Sequence, residues 1–386
     1  MTTIPQELIN AVIHEVEDTK SLKAYSLAVS NFLEPSQRIL LRFLTLDLAS
    51  STLLDLLGRL LAESPHIAAY FTILSLHLTV ADILTHQVLS LRDLLAKLTN
   101  VQQCTIAGTT IDACRWADLA PVTPAFLDLI QRQQLAELHV LFFAGIPLPV
   151  LGLFMRSARK LSLFDVDVDI DGESLPEIQP TDSGMAELFV SQQSPSFYYA
   201  VTCPQFASYT ANLRKLDVAL STTEYIQDLM RSTAHTLETI RFDCTAPDHD
   251  PALPPLPALP ALRSIDLVMP IGEHNEPRLL DVLSTILASR PATLTEIRLL
   301  YEIYLPLDSP YLLQPETLVG LSRLFADPTT PRLRARLDIH ADEDGEMLAG
   351  FRTSLQQGLH GFCAEGKLFV EGYSFKDAEF IELSRR

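Results

Sequence analysis

Asp165, Asp167, Asp169, Asp171 and Gly172 come nearest to a known chemical spacing. Asp167, Asp169, Asp171 and Gly172 stand at positions 1, 3, 5 and 6 of an EF-hand calcium loop. Position 12 needs a bidentate Glu, but it is Ile178 here, with Glu177 one place early. The residues leading in alternate like a strand, not an amphipathic helix, so the segment reads as an acidic strand and turn. No metal or other cofactor is expected. Catalytic constellations are equally absent: there is no Gly-x-Ser-x-Gly, no phosphate loop, no His-Glu-x-x-His and no kinase set. His139 and His340 fall on expected strands, without a Ser or Cys partner that spacing would bring to them. The five cysteines, Cys104, Cys114, Cys203, Cys244 and Cys363, form no Cys-x-x-Cys pair and read as small core residues in a reducing compartment. The residues therefore point to binding, and an enzyme is not expected.

What recurs is a phrase, Leu-x-x-Leu-x-Leu with other apolar residues allowed. Copies start at Phe71, Leu135, Ala158, Leu213, Leu237, Leu262 and Leu294, with looser ones at Leu98 and Leu333. Repetition every 25 to 40 residues or so marks a stacked repeat protein. Helical patterns fall between the copies, at 52–64, 80–97, 123–134, 147–157, 222–235, 277–289, 315–326 and 346–358. Strands joined through helices must run parallel. The residue between the last two apolar places is mostly polar: Ser75, His139, Ser162, Asp217, Arg241, Asp266, Arg298 and Asp338. A sheet covered on both faces would be apolar there, so one face is expected to be wet and the helices to lie on the other. The fold class is then α/β, a curved repeat solenoid over residues 46–386. Flanking rows on the wet face would include Asn100, Glu137 and Lys160 before the polar centre, and Cys104, Leu141, Phe164, Leu300 and His340 after it. Residues 165–210 read as an insertion or as a degenerate repeat around Ser196–Val201. Residues 246–261 are proline-rich, with overlapping Pro-x-x-P spacing, and read as an extended connector.

Charge narrows the partners. There are 48 acidic against 29 basic side chains, a formal −19, which repels phosphate backbones and anionic lipid heads. The most membrane-like stretch, Leu138 to Met155, is interrupted by His139, Gly145, Pro147 and Pro149. Neither nucleic acid nor membrane is expected, and the setting is expected to be cytoplasmic or nuclear.

Residues 1–45 differ from the rest. Pro5 suits a helix start, and Leu8, Ile9, Val12, Ile13 and Val16 form one apolar stripe. Asp18-Thr19 caps a second helix carrying Leu22, Tyr25 and Leu27, and Pro35-Ser36 opens a third through Ile39 and Leu40. Three short helices cannot hide all these side chains alone. The segment Ile4-Pro5-Gln6-Glu7-Leu8-Ile9, with Ser21-Leu22-Lys23-Ala24-Tyr25-Ser26-Leu27 and Phe32-Leu33-Glu34-Pro35, resembles an F-box. Its place before irregular repeats is similar to that in fungal F-box proteins with irregular leucine-rich repeats. The Trp often found near an F-box end is missing, and the single Trp is Trp116. The resemblance implies a substrate-recognition adaptor of a cullin-type ubiquitin ligase. Ile4, Pro5, Leu8, Ile9, Val12, Leu22 and Leu27 would dock on the Skp-type linker protein. A protein substrate would meet the concave face at His139, Leu141, Phe164, Asp217, Arg241, Asp266, Arg298 and Leu300. The alternative is an interaction scaffold whose N-terminal helices only cap the repeats.

Overall fold

A computed structural model describes residues 5–16, 18–28, 30–48, 51–78, 85–108, 114–170, 184–191, 195–219, 223–244, 253–269, 276–289, 291–303, 313–326, 330–339, 346–360 and 368–374. The chain forms two compact units, Met1–Met185 with Gln192–Tyr209, and Ala186–Ser191 with Thr210–Arg386. The division falls among the strands and helices that follow residue 45.

The first unit opens with α1 (Gln6–His14), α2 (Thr19–Ala28) and α3 (Ser30–Leu40). Asp18 caps α2 as its position predicts: its carboxylate accepts the Ser21 N–H at 2.8 Å and the Lys20 N–H at 3.2 Å. Together with the Ser21 hydroxyl, these bonds hold the Asp18 carboxyl below its usual pKa. The third helix starts five residues earlier than Pro35 suggests, with Pro35 inside it. Proline lacks the N–H that would bond the Asn31 carbonyl. The Gln6 side chain fills that vacancy, donating Nε2 to the Asn31 oxygen at 3.1 Å. Ile9, Ile13 and Leu22 form the core of this segment, with Val16, Phe32, Ile39 and Leu40 against it.

The repeats follow. In the first unit they are β1 (Phe43–Asp47), α4 (Ser51–Glu63), β2 (Ile73–His77), α5 (Thr85–Lys97), β3 (Gln103–Ala107), β4 (Cys114–Arg115), α6 (Thr123–Arg132), β5 (Leu135–Pro147), α7 (Leu148–Ser157) and β6 (Ala158–Asp169). After β7 (Glu187–Ser191), which belongs to the second unit, α8 (Pro195–Thr202) and the single turn α9 (Ala207–Thr210) lead out. The second unit continues with β8 (Lys215–Ala219), α10 (Thr223–Ser232), β9 (Thr239–Asp243), β10 (Ser264–Met269), α11 (Glu276–Ser289), β11 (Glu296–Ile303), α12 (Pro315–Leu324), β12 (Arg332–Ile339), α13 (Glu346–Gly358) and β13 (Leu368–Ser374).

Strand order is β1-β2-β3-β5-β6 in one unit, with β4 beside the far end of β5, and β7 through β13 in sequence in the other. The pairings are parallel. Neither order reverses, as a doubly wound sheet must. Right-handed crossovers that always step the same way put their helices on the same face. Accordingly α4, α5, α6 and α7 touch in succession, as do α11, α12 and α13.

The phrase supplies the buried face. Leu74 and Leu76 align with Leu44 and Leu46, and onward with Cys104 and Ile106, Leu138 and Val140, and Leu161 and Leu163. In the second unit Leu188 and Val190 align with Leu216 and Val218, then Ile240 and Phe242, Ile265 and Leu267, Ile297 and Leu299, and Leu333 and Ala335. All are buried, and each large one is worth about 1.5–3 kcal/mol.

Three expectations change. The stretch 165–210 contains a full copy at Met185, Leu188 and Val190, and Ser196–Val201 lies on α8; Met at the first place and apolar Phe189 at the centre disguise it. The looser copies sit in other registers, as Val101-Cys104-Ile106 and Thr330-Leu333-Ala335. Consequently Arg334, not Asp338, lies in the central row. Gln103 and Ala107 take the places assigned to Asn100 and Cys104, and Cys104 is in the core, where burial pushes its thiol up to about 12.

The proline-rich connector takes the place of a helix between β9 and β10. Leu253, Leu256 and Leu259 are buried at a spacing of three, the period of polyproline II. Gln227 of α10 donates to the Pro255 carbonyl at 3.1 Å, and the Leu256 N–H donates to Ser289 Oγ of α11 at 3.1 Å. The connector is thus laid down between its neighbouring helices.

Strands β5 and β6 run past the other strands and turn a corner. Phe142 (φ 64°) and Asp165 (φ 51°) are left-handed there. Gly108 passes beneath: a Cβ on it would lie 2.5 Å from the Phe142 carbonyl oxygen and 2.7 Å from Cys114 Cβ. Its N–H also bonds the Leu141 carbonyl at 2.9 Å, so it cannot move away freely. Gly108→Ala should lower stability by about 1–3 kcal/mol, read as an earlier urea midpoint; an unchanged midpoint would show that the corner gives way easily.

Candidate functional site

Two surfaces carry side chains that nothing in the chain's own folding requires to be where they are. The first is the three-helix segment. Leu8 is 57% exposed, Val12 61% and Leu27 87%. Of the eleven large apolar side chains exposed among the described residues, five (Leu8, Val12, Tyr25, Leu27 and Leu33) lie in the first 33 residues. The residues expected to dock therefore divide. Leu8, Val12 and Leu27 face solvent, and Pro5 is exposed at the start of α1. Ile9 and Leu22 are in the segment's own core and support the others instead of offering surface. Ile4 lies outside the described residues.

The second surface is the sheet face away from the helices. In the first unit the central row is Thr45, Ser75, Thr105, His139 and Ser162. On β1, β2 and β3 this face is partly or fully exposed through most of each strand while the other is buried. Glu137 Oε2 lies 3.2 Å from His139 Nε2 and 3.3 Å from Lys160 Nζ. Burial pushes the His139 pKa down against the pull of Glu137. Beyond this triad Leu141, Phe142 and Phe164 are half-buried, and the two phenyl rings meet edge to face at 5.3 Å.

The central row of the second unit is Phe189, Asp217, Arg241, Asp266, Arg298 and Arg334. It is a charge ladder. Arg241 Nε is 3.5 Å from Asp217 Oδ2, and Arg298 Nη1 is 3.8 Å from Asp266 Oδ1. Glu296 bridges Arg298 at 2.6 Å and Arg334 at 2.8 Å, and Leu300 stands half-buried one row on. The expectation of a wet face fails at β8 and β10, where Asp217, Ser264, Asp266 and Val268 are all buried, and at the centre of β6, where Ser162 is buried. The long arginines reach sideways over the shorter aspartates.

Among the described residues Asp217 has one oxygen, Oδ1, without a partner. Burial, partly offset by Arg241, pushes its carboxyl up to about 7; burial also raises Asp266. Because the folded pKa of Asp217 lies above the unfolded value of 3.8, the folded chain holds this proton more tightly. Its contribution to stability is complete below pH 4 or so and is lost as pH rises toward 7. Relative to the wild type, Asp217→Asn should gain about 1 kcal/mol between pH 6 and pH 8. Paired urea titrations at the two pH values give that difference, and equal shifts in both proteins would contradict it.

Of the aspartates in the calcium-like pattern, one is seen bonded to another side chain. Asp167 and Asp169 lie on β6, and Asp167 accepts the Ser196 hydroxyl at 2.5 Å, tying α8 to the strand. Asp171, Gly172, Glu177, Ile178 and His340 lie outside the described residues. Among the described residues no cluster of His, Cys, Asp or Glu is arranged to hold a metal, and no helix is long and apolar enough to cross a membrane. Sequence reasoning missed Phe142 and Arg334, whereas Glu296 stands beside Ser264 in the row before the polar centre, where alternation places it. The alternating Arg332-x-Arg334-x-Arg336 was the available sign that the last repeat sits in this register.

The chain matches no protein-family model, and no curated protein is significantly similar to it in sequence.

Proposed function

We propose that this chain is the substrate-recognition adaptor of a cullin-type ubiquitin ligase. Its N-terminal helices would dock on a Skp-type linker, and the open faces of its repeats would hold a protein substrate. The observation that supports this reading is the exposure of three large apolar side chains, Leu8, Val12 and Leu27, on a segment that already has a core of Ile9, Ile13 and Leu22. A segment that served only to end a stack of repeats would turn such residues inward. The capping alternative draws support at α3, where the Arg38 guanidinium lies 5.5 Å from the Tyr70 ring centre. That contact leaves Leu8 and Val12 of α1 and Leu27 of α2 exposed.

Such an adaptor works by placement, without covalent chemistry of its own. Burying one exposed Leu or Val side chain in the linker is worth about 1.5–3 kcal/mol. Several together are needed to offset the entropy of association. Co-expression of the tagged chain with a Skp-type linker tests the proposal: the linker should co-purify in stoichiometric amount, and a chain that purifies folded and alone would reject it.

A further inference from the structure

We propose that the corner where β5 meets β6 docks a partner-protein segment carrying a large apolar side chain beside a lysine or arginine. This names a substrate class and rests on the receptor reading above.

Phe142 and Asp165 are the non-glycine residues with left-handed backbone among those described. They stand opposite each other, between the register pairs Leu141–Phe164 and Phe143–Val166. A bulky aromatic rarely adopts this conformation, and its presence at one place on two strands marks a corner held by its surroundings. The turn sends Phe143 into the core, where its ring meets Trp116 at 5.7 Å. Phe142 remains at the surface, paired with Phe164 and next to Leu141. Across the sheet the neighbouring position on β3 is the small, buried Ala107, so the apolar patch begins at β5. Paired rings lose little freedom on binding, which suits them as an anchor surface.

Charge selects the rest of the occupant. Asp165 is exposed at the edge of the patch, and Asp167 and Asp169 continue along β6. Two basic residues lie near: Lys160 is held by Glu137 at 3.3 Å, and Arg115 stands exposed on β4 opposite Ala144, a single positive charge against the aspartates of β6. With the chain at −19, an acidic segment would be repelled from this corner and a basic one drawn to it.

The test selects a displayed random-peptide library on the immobilised full-length chain, then measures a synthetic peptide of the enriched pattern by fluorescence anisotropy. Enriched peptides should carry Phe, Trp, Leu or Met within two residues of Lys or Arg. Phe164→Ala should weaken the synthetic peptide about tenfold or more. Asp165→Asn keeps a residue that tolerates left-handed backbone. It should weaken binding about threefold and flatten its salt dependence. No enrichment, enrichment of acidic or purely polar peptides, or wild-type affinity in both variants would overturn the proposal. Both variants should still capture the Skp-type linker. Peptide binding as expected in a chain that never captures the linker would remove the receptor reading and leave the docking corner standing, and the converse would remove the corner alone.

Discussion

A chain carrying Leu8→Asp, Val12→Asp and Leu27→Asp should lose capture of the Skp-type linker altogether, at least a hundredfold or so in affinity, while its folding remains close to that of the wild type. Each substitution removes about 1.5–3 kcal/mol of apolar burial and adds a carboxylate that must be desolvated in the contact. Stability should hold because these side chains are more than half exposed and none belongs to the Ile9-Ile13-Leu22 core. Ile9→Asp is the contrasting variant. It should also abolish capture, but by unfolding α1 to α3, visible as lost helical circular dichroism. Equal linker affinity in the triple variant and the wild type would mean that these exposed side chains are not the docking surface.

Trp116→Ala should cost about 3–5 kcal/mol of stability. The indole is buried where elements distant in sequence converge: it meets Phe126 of α6 at 5.4 Å, Phe143 of β5 at 5.7 Å and Phe154 of α7 at 5.9 Å, each edge to face. Truncation leaves a void lined by three rings that their own helices and strand hold apart, so collapse is restricted. The loss should appear as a lower urea midpoint with an unchanged slope. A change below 1 kcal/mol or so would show that the site repacks freely.

Much of this architecture is legible in the residues. Two apolar places at a spacing of two, preceded by one at a spacing of three, specify a strand with one dry face and the turn leading into it. That is why β2, β5, β6, β8, β9, β10 and β11 fall where the phrase places them. Helix positions followed from stripes such as that of α6, whose Phe126, Leu129 and Ile130 are buried. The misses have local causes. Pro35 reads as a helix start, but a side chain from α1 satisfies the carbonyl it leaves open. Met185 and Phe189 hide a repeat whose inward residues are ordinary. Thr330 and Ala335 hold places that elsewhere carry larger apolar side chains, which shifted the last register by four residues.

The candidate surfaces were less visible, for a different reason. Alternation puts Asp217, Arg241, Asp266 and Arg298 in one row, and that much the spacing carries. Whether an aspartate in such a row is wet depends on how far an arginine on the next strand reaches, which no spacing records. The left-handed Phe142 had no sequence sign at all, since neither Gly nor Asn marks it. Leu8, Ile9 and Val12 belong to one stripe in sequence, and only the packing of α2 and α3 decides which of them turn inward.

Isothermal titration of purified wild-type chain with a purified Skp-type linker tests the central claim most directly. Adaptor function predicts saturable one-to-one binding, with a negative heat-capacity change from buried apolar surface, absent when the Leu8, Val12 and Leu27 triple variant is titrated. No heat across a range of temperatures, from a chain whose helical segment is folded, would contradict it.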